Sequence, residues 1–286
     1  MTETNEVKTR QEVKEPQEQG SFKWKLENST LFKTIISTLA SIIDETTFTI
    51  TPEEFQVSAM DPSKICILKL TIEKEDFDEY ECSTETKVSL NLDDLEKIIN
   101  RSTAADYIEL SYKKDSNKVK ITMQQVGETK IRNFSLGIID LDTEKTPIKN
   151  LLSIEYPAEW TIDPDFLEEA IKDAEIYSDI LVIKAKHEEG LELSAYGPIG
   201  EMIYALGKED LIEINVPEDS IGSYSIRFLK SILKLGKVTE KLEVSLKEDH
   251  PIRLHFDLLE GAKVQYYLAP RVDQEKDSEE GEMEGF

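Results

Sequence analysis

Arg227, Lys230, Lys234 and Lys237 follow one another at spacings of three, four and three residues in SIRFLKSILKLGK (225–237). On a helix this spacing puts all four cations on one face and Ile226, Leu229, Ile232 and Leu233 on the other. No acid interrupts the segment, although the 286-residue chain sets 34 Lys and Arg against 59 Asp and Glu, a formal charge of −25. The chemistry open to such a row is neutralisation of phosphate, because Lys and Arg on a convex helix face reach backbone charge without reading bases. An ordinary solvated helix face carries the same pattern, and the segment alone does not separate the two. A chain this acidic is a poor general binder of nucleic acid, so a DNA-facing surface has to be a local basic island.

Residues suited to covalent or metal chemistry are few. There is no GxxxxGK[ST] phosphate loop, no GxGxxG and no GxSxG nucleophile elbow. His187, His250 and His255 are scattered, without HxxxH or HExxH spacing. Asp140 and Asp142 form a DLD pair that could hold Mg²⁺, but the pair fits loop capping better. Cys66 alternates with Ile65 and Ile67 in an apolar run and reads as a buried structural thiol, and Cys82 has no CxxC partner. Two unpaired cysteines fit a reducing compartment. The polar start MTETNEVKTR is not a secretory signal, and no apolar run approaches the ~18 residues that would span a bilayer.

The elements that must carry the basic row follow from the apolar spacing. Ser29 is placed to cap a helix with Leu31, Phe32, Ile35, Ile36, Leu39, Ile42 and Ile43 on its inner face. Strand-like runs occur at 46–50, 54–60 and 64–72, and 87–92 leads into a short helix with Leu92, Leu95, Ile98 and Ile99 on one side. Runs at 107–112, 118–123 and 131–139 read as hairpins. Residues 140–157, with two prolines and mixed polarity, read as a connector, and Leu151, Leu152 and Ile154 suggest that it lies along the surface it crosses. The second half then repeats the first. Phe166, Leu167, Ala170, Ile171 and Ala174 match Leu31 to Leu39 at an offset of 135, FQVSA (55–59) matches LELSA (191–195) at 136, and Ile226 to Leu233 match Leu92 to Ile99 at 134. Each half has two short helices and eight or nine strands, so the expected fold is an α+β unit used twice, with the helices on one face of antiparallel sheets. The expected division is 1–20 as a disordered extension, 21–139 and 158–271 as the two domains, 140–157 as the connector and 272–286 as an acidic tail. Residues 1–20 carry five acids and three bases, and 272–286 carry seven acids and one lysine.

SAMDPSKICIL (58–68), FDEYEC (77–82), IIDLD (138–142) and above all KVQYYLAPRV (263–272) resemble the proliferating cell nuclear antigen family of sliding clamps, and the LAPRV form is similar to archaeal members. The resemblance runs from about Phe22 to Val272. It implies that three chains close head to tail into a ring, with sheets outside and helices lining a hole filled by duplex DNA. By position it makes Lys33, Lys97, Arg101, Lys172, Arg227, Lys230, Lys234 and Lys237 the DNA-facing cations. It further implies a groove for short partner peptides, the PIP box of this family, mapping to Met60, Ile65, Ile67, Leu151, Ile154, Pro251, Tyr266, Tyr267, Leu268, Ala269 and Pro270. Core packing is the plain alternative for Met60 and Tyr267. The ring joint maps to 131–139 of one chain against 200–207 of the next. Helix 164–176 departs from the family in its acidity, with Glu169 the clearest case.

The resemblance implies a processivity clamp without catalysis, cofactor, metal or membrane. Its partners are DNA polymerase, an ATP-driven clamp loader, flap endonuclease and DNA ligase, met in the cytoplasm at the nucleoid, or in the nucleus if the source is a eukaryote. A subunit of a heterotrimeric or checkpoint-type clamp is the rival within the fold, and an acidic adaptor or carboxylate enzyme without DNA contact is the rival outside it.

Overall fold

The computed structural model describes residues 20–141 and 151–271. The extension before Gly20, connector residues 142–150 and the acidic tail lie outside the described residues.

The first unit runs β1 (Phe22–Leu26), α1 (Ser29–Ala40), β2 (Glu45–Ile50), β3 (Glu54–Met60), β4 (Cys66–Glu73), β5 (Glu79–Cys82), β6 (Thr86–Asn91), α2 (Leu92–Ile99), β7 (Asp106–Tyr112), β8 (Lys118–Gln125) and β9 (Ile131–Gly137). The second runs β10 (Ala158–Ile162), α3 (Pro164–Ala174), β11 (Ile180–Lys186), β12 (Gly190–Gly197), β13 (Gly200–Gly207), β14 (Glu213–Asn215), β15 (Ser220–Ser225), α4 (Ile226–Ile232), β16 (Leu242–Leu246), β17 (Ile252–Asp257) and β18 (Lys263–Leu268). The order of elements is the same in both, down to a 3-10 turn of sequence Lys-Glu-Asp at Lys74–Asp76 and again at Lys208–Asp210.

Pairing repeats as well. The first unit forms the sheet β5-β1-β7-β8-β9, and its counterpart β14-β10-β16-β17-β18 continues through β4, β3, β2 and β6. The seam is β18 against β4, antiparallel from Lys263↔Thr71 to Leu268↔Cys66. The remaining strands form β13-β12-β11-β15. Two strands whose counterparts meet at that seam, β9 and β13, therefore end their sheets as free edges.

Strict alternation drives the strands. β1 and β7 read buried at every second residue, and Trp24, Leu26, Ile108 and Leu110 are inaccessible. The buried faces meet the apolar stripes of the helices, where Trp24 packs edge-on against Phe32 with ring centroids 4.9 Å apart.

Several local expectations change. The N-cap of α1 is Asn28, whose side chain accepts from the Thr30 N–H, while the Ser29 hydroxyl donates to the Thr103 carbonyl. The helix ends at Ala40, so Ile42 and Ile43 lie beyond it, although Ile43 is still buried. The third strand begins at Cys66 because Lys64 takes a left-handed turn conformation, φ 58°. The segment 225–237 is not one α-helix: α4 gives way to a 3-10 stretch over Leu233–Val238, just before the glycine at 236.

Candidate nucleic-acid interface and partner groove

Helix layer. α1 touches α2 on one side and the 3-10 stretch Leu233–Val238 on the other, and α3 touches that stretch and α4. The helices thus form one continuous layer across both units. Ile35 and Leu39 of α1 and Leu235 of the 3-10 stretch close over Leu68, Leu70 and Val264 of the central seam. Burial of these apolar faces leaves only the polar side of each helix for whatever the layer faces.

Arg227, Lys230, Lys234 and Lys237 are all exposed, and Ile226, Leu229, Ile232 and Leu233 are all buried. Breaking the segment into α and 3-10 parts leaves the cations on the outer side of the layer. The Arg227 guanidinium lies 5.6 Å from the centre of the Phe228 ring. Lys230 reaches Glu175, just past α3, at 2.7 Å. The basic helix lacks acids in its own sequence but meets one in space, which spacing along the chain does not reveal. Lys97 and Lys172 are also engaged, by Asp94 at 2.9 Å and Glu168 at 2.7 Å. Those carboxylates, through hydrogen bond and charge, hold both ammonium groups above their ordinary pKa. Lys33, Arg101, Arg227, Lys234 and Lys237 have no ion pair among the described residues. Of these, Lys33 is half-buried and the others are exposed.

On the opposite side of the sheet, Met60↔Ile67, Ile67↔Tyr267 and Tyr267↔Arg253 are directly paired across three seams, so the four side chains form one row. Met60, Ile65, Ile67, Pro251, Ala269 and Pro270 are half-exposed along or beside it, and the Ala269 N–H donates to the Ile65 carbonyl at 2.8 Å. From the connector, Leu151 and Ile154 are half-buried and Leu152 is exposed. Tyr156 seats the connector's end: its hydroxyl donates to the Pro251 carbonyl at 2.8 Å, and Arg253 stacks over its ring at 5.0 Å. Arg253 continues to Glu159 at 2.7 Å. Met60 also borders a cavity of about 660 Å³ with Ile43, Pro62 and Leu141, rimmed by Asp44, Glu45 and Asp93.

Three expected groove residues are displaced. Strand alternation turns Tyr266 and Leu268 to the helix side, where both are fully buried and the Tyr266 hydroxyl donates to the Phe228 carbonyl at 3.4 Å. Tyr267 points the right way but is only 2 % exposed, so it is the floor of the row rather than a wall. Its hydroxyl is buried without a hydrogen-bond partner. Tyr156, Arg253 and Leu141 were not anticipated. The alternation of β17 marked Arg253 as outward, but nothing local tied Tyr156 to it.

Candidate chemistry elsewhere is structural. Cys66 is buried, and burial pushes its thiol pKa up to about 12. Among the described residues no group of three His, Cys, Asp or Glu side chains is placed to hold a metal ion, and no helix is long and apolar enough to cross a membrane.

The family model for the N-terminal domain of proliferating cell nuclear antigen matches residues 21–146, and that for its C-terminal domain matches 151–271. A DNA polymerase sliding clamp of Thermofilum pendens is 31% identical over 85% of this chain and 96% of its own. One of Nitrosopumilus maritimus is 28% identical over 88% of this chain and 99% of its own. Among solved structures, the proliferating cellular nuclear antigen of Entamoeba histolytica has a TM-score of 0.80 at 25% identity, covering 88% of this chain and 99% of its own. The homologous crystal structure from Thermococcus kodakaraensis has the same TM-score at 23% identity, covering 87% and 100%, and speaks for the fold.

Proposed function

This chain belongs to the proliferating cell nuclear antigen family and is a DNA sliding clamp, and from that premise we propose how its residues share the work. Polymerase and DNA are its partners and a trimeric ring its assembly. Members of the family act as non-enzymatic processivity factors inside the cell; this chain adds no catalysis of its own and works at the nucleoid.

The observation that carries the reading is the helix layer itself. A chain of charge −25 spends an acid-free row of cations on one helical surface. Arg227, Lys234 and Lys237, with Lys33 beside them, are the free phosphate contacts. Lys97, Lys172 and Lys230 already hold a carboxylate and contribute less. Salt-sensitive contacts are adequate here, because a closed ring is retained by topology and must slide. Acidic outer surfaces keep misplaced phosphate away.

The outer row supports a second role. Met60, Ile65, Ile67, Leu151, Ile154, Pro251, Ala269 and Pro270, floored by Tyr267, take the hydrophobic and aromatic anchors of a short peptide lying beneath the connector. Flap endonuclease, ligase and the clamp loader dock there in turn with polymerase.

Reversing the charge at Arg227, Lys234 and Lys237 together tests the first role. Processive synthesis on primed DNA should fall at least tenfold while trimer mass and the binding of a partner peptide are kept. Unchanged processivity would overturn the assignment of these residues.

A further inference from the structure

The seam inside the chain is a template for the seam between chains. Equivalent rungs can be followed from the two tryptophans. Trp24↔Leu110↔Ile121↔Phe134 crosses the first unit as Trp160↔Val244↔Leu254↔Tyr266 crosses the second, so Phe134 of β9 stands where Tyr266 of β18 stands. From the other side, Ala59↔Leu68 corresponds to Ala195↔Met202, which puts Met202 of β13 in the place of Leu68. Within the chain Tyr266 lies opposite Leu68. The same register between copies sets Phe134 opposite Met202, Arg132 opposite Tyr204 and Asn133 opposite Ile203. Both free edges are chemically ready for it. Phe134 and Leu136 on one and Met202 and Tyr204 on the other are half-buried apolar side chains facing the helix layer, and Ile203 is 56 % exposed.

The two seams differ at one place. Inside the chain, Leu70, Val264 and Leu235 plug the joint beside Thr38 of α1. Their counterparts are Tyr204, Arg132, Arg101 and Asp173. An apolar plug is thus replaced by two cations from one edge and a phenol and carboxylate from the other. The groups are already poised: Arg132 is bonded to Asp106 at 2.7 Å and to the Arg101 carbonyl at 2.6 Å, and Tyr204 donates to Glu169 at 2.9 Å. α2 lies against β9 and α3 against β13, so the two helices meet when the edges join.

Resting on the ring reading above, we infer that each joint between copies is an ionic lock in which Arg101 and Arg132 of one protomer engage Tyr204, Glu169 and Asp173 of the next. The acidity of α3, out of place on a wall facing DNA, belongs to this lock. Arg101 is a joint residue rather than a DNA contact. Because both halves of the lock come from one sequence, head-to-tail closure needs only copies of this chain. The lock also makes the intermolecular seams the salt-sensitive ones, so the ring opens there and not at the apolar seam within a chain.

Two measurements on the full chain test this. In a Cys82→Ser background, Asn133→Cys with Ile203→Cys should form an intermolecular disulfide on mild oxidation, since directly opposed residues lie about 4.5–5.5 Å apart. Asn133→Cys with Glu201→Cys or with Ala205→Cys, two residues out of register, should not. Arg101→Glu or Asp173→Arg alone should raise the trimer dissociation constant at least tenfold, and the combined exchange should recover most of the loss. Both positions are exposed, and thermal melting checks that each variant folds. Cross-linking in a shifted pair overturns the register, and the lock with it, but keeps the ring. Unchanged trimer affinity, or an exchange that rescues nothing, overturns the lock alone. A monomer that cross-links in no pair overturns the ring itself.

Discussion

Single residues carry more of this molecule's specificity than their conspicuousness suggests. Asp61 is 3 % exposed, and its carboxylate accepts from three backbone N–H groups, those of Ser63 at 2.9 Å and of Ile65 and Cys66 at 2.6 Å. It ties the turn that presents Met60 and Ile65 to the outer row. Replacing Asp61 with Ala leaves three donors without their acceptor, so the protein should lose about 2–4 kcal/mol in denaturant unfolding. Peptide affinity at the outer row should fall too; a variant as stable as the parent would show that the turn holds without it. The cations tell a similar story. Lys234 and Lys230 are indistinguishable in sequence, one turn apart on the same face, yet Glu175 occupies only the second.

At the scale of the element, β9 is the piece most dependent on a single charge pair. Its edge is unpaired, and Arg132 anchors it back to Asp106 at the start of β7. Burial pushes the Asp106 carboxyl up, but hydrogen bonds from the Thr103 backbone and hydroxyl and from Arg132 outweigh it and hold the group below its ordinary pKa. A depressed carboxyl contributes stability that is present above the unfolded-state value of about 3.9 and is lost as pH falls through the folded value. Amide hydrogen exchange in β9 should therefore quicken relative to β8 as pH drops below about 4, after correction for the intrinsic rate. In Asp106→Asn that acid-induced step should vanish; its persistence would assign the anchor elsewhere. Helix caps were legible only in part. Asn91 caps α2 and Asp163 caps α3, whereas α1 takes Asn28 in place of the adjacent Ser29, because Ser29 is drawn to the Thr103 carbonyl across the fold.

For the whole molecule the decisive property is closure. A ring that holds DNA by encirclement, with a few unpaired cations touching phosphate, should survive high salt on a closed circle and be lost once the circle is cut. Loaded clamp on nicked circular DNA, washed at about 0.5 M salt where the Debye length is a few ångströms, should remain bound, and linearisation should release it. Equal loss from circle and line would mean that the cations grip DNA and that no closed ring forms. The mass in solution should be three times 32.7 kDa.

Periodicity alone determined the duplicated α+β plan, the nine strands and two helices of each half, and the buried and cationic sides of 225–237, because those follow from which neighbours along the chain are apolar. The motif YYLAPR resembled the family but could not say which of its side chains line a groove: alternation sends Tyr266 and Leu268 under α4 and leaves Tyr267 as a floor. Ion pairs such as Glu175 with Lys230, Asp106 with Arg132 and Glu159 with Arg253 join residues 26 to 94 positions apart. Nothing local encodes them. They arise only when sheet register and helix packing bring the partners within a few ångströms, and the tertiary structure alone decided which cations stay free.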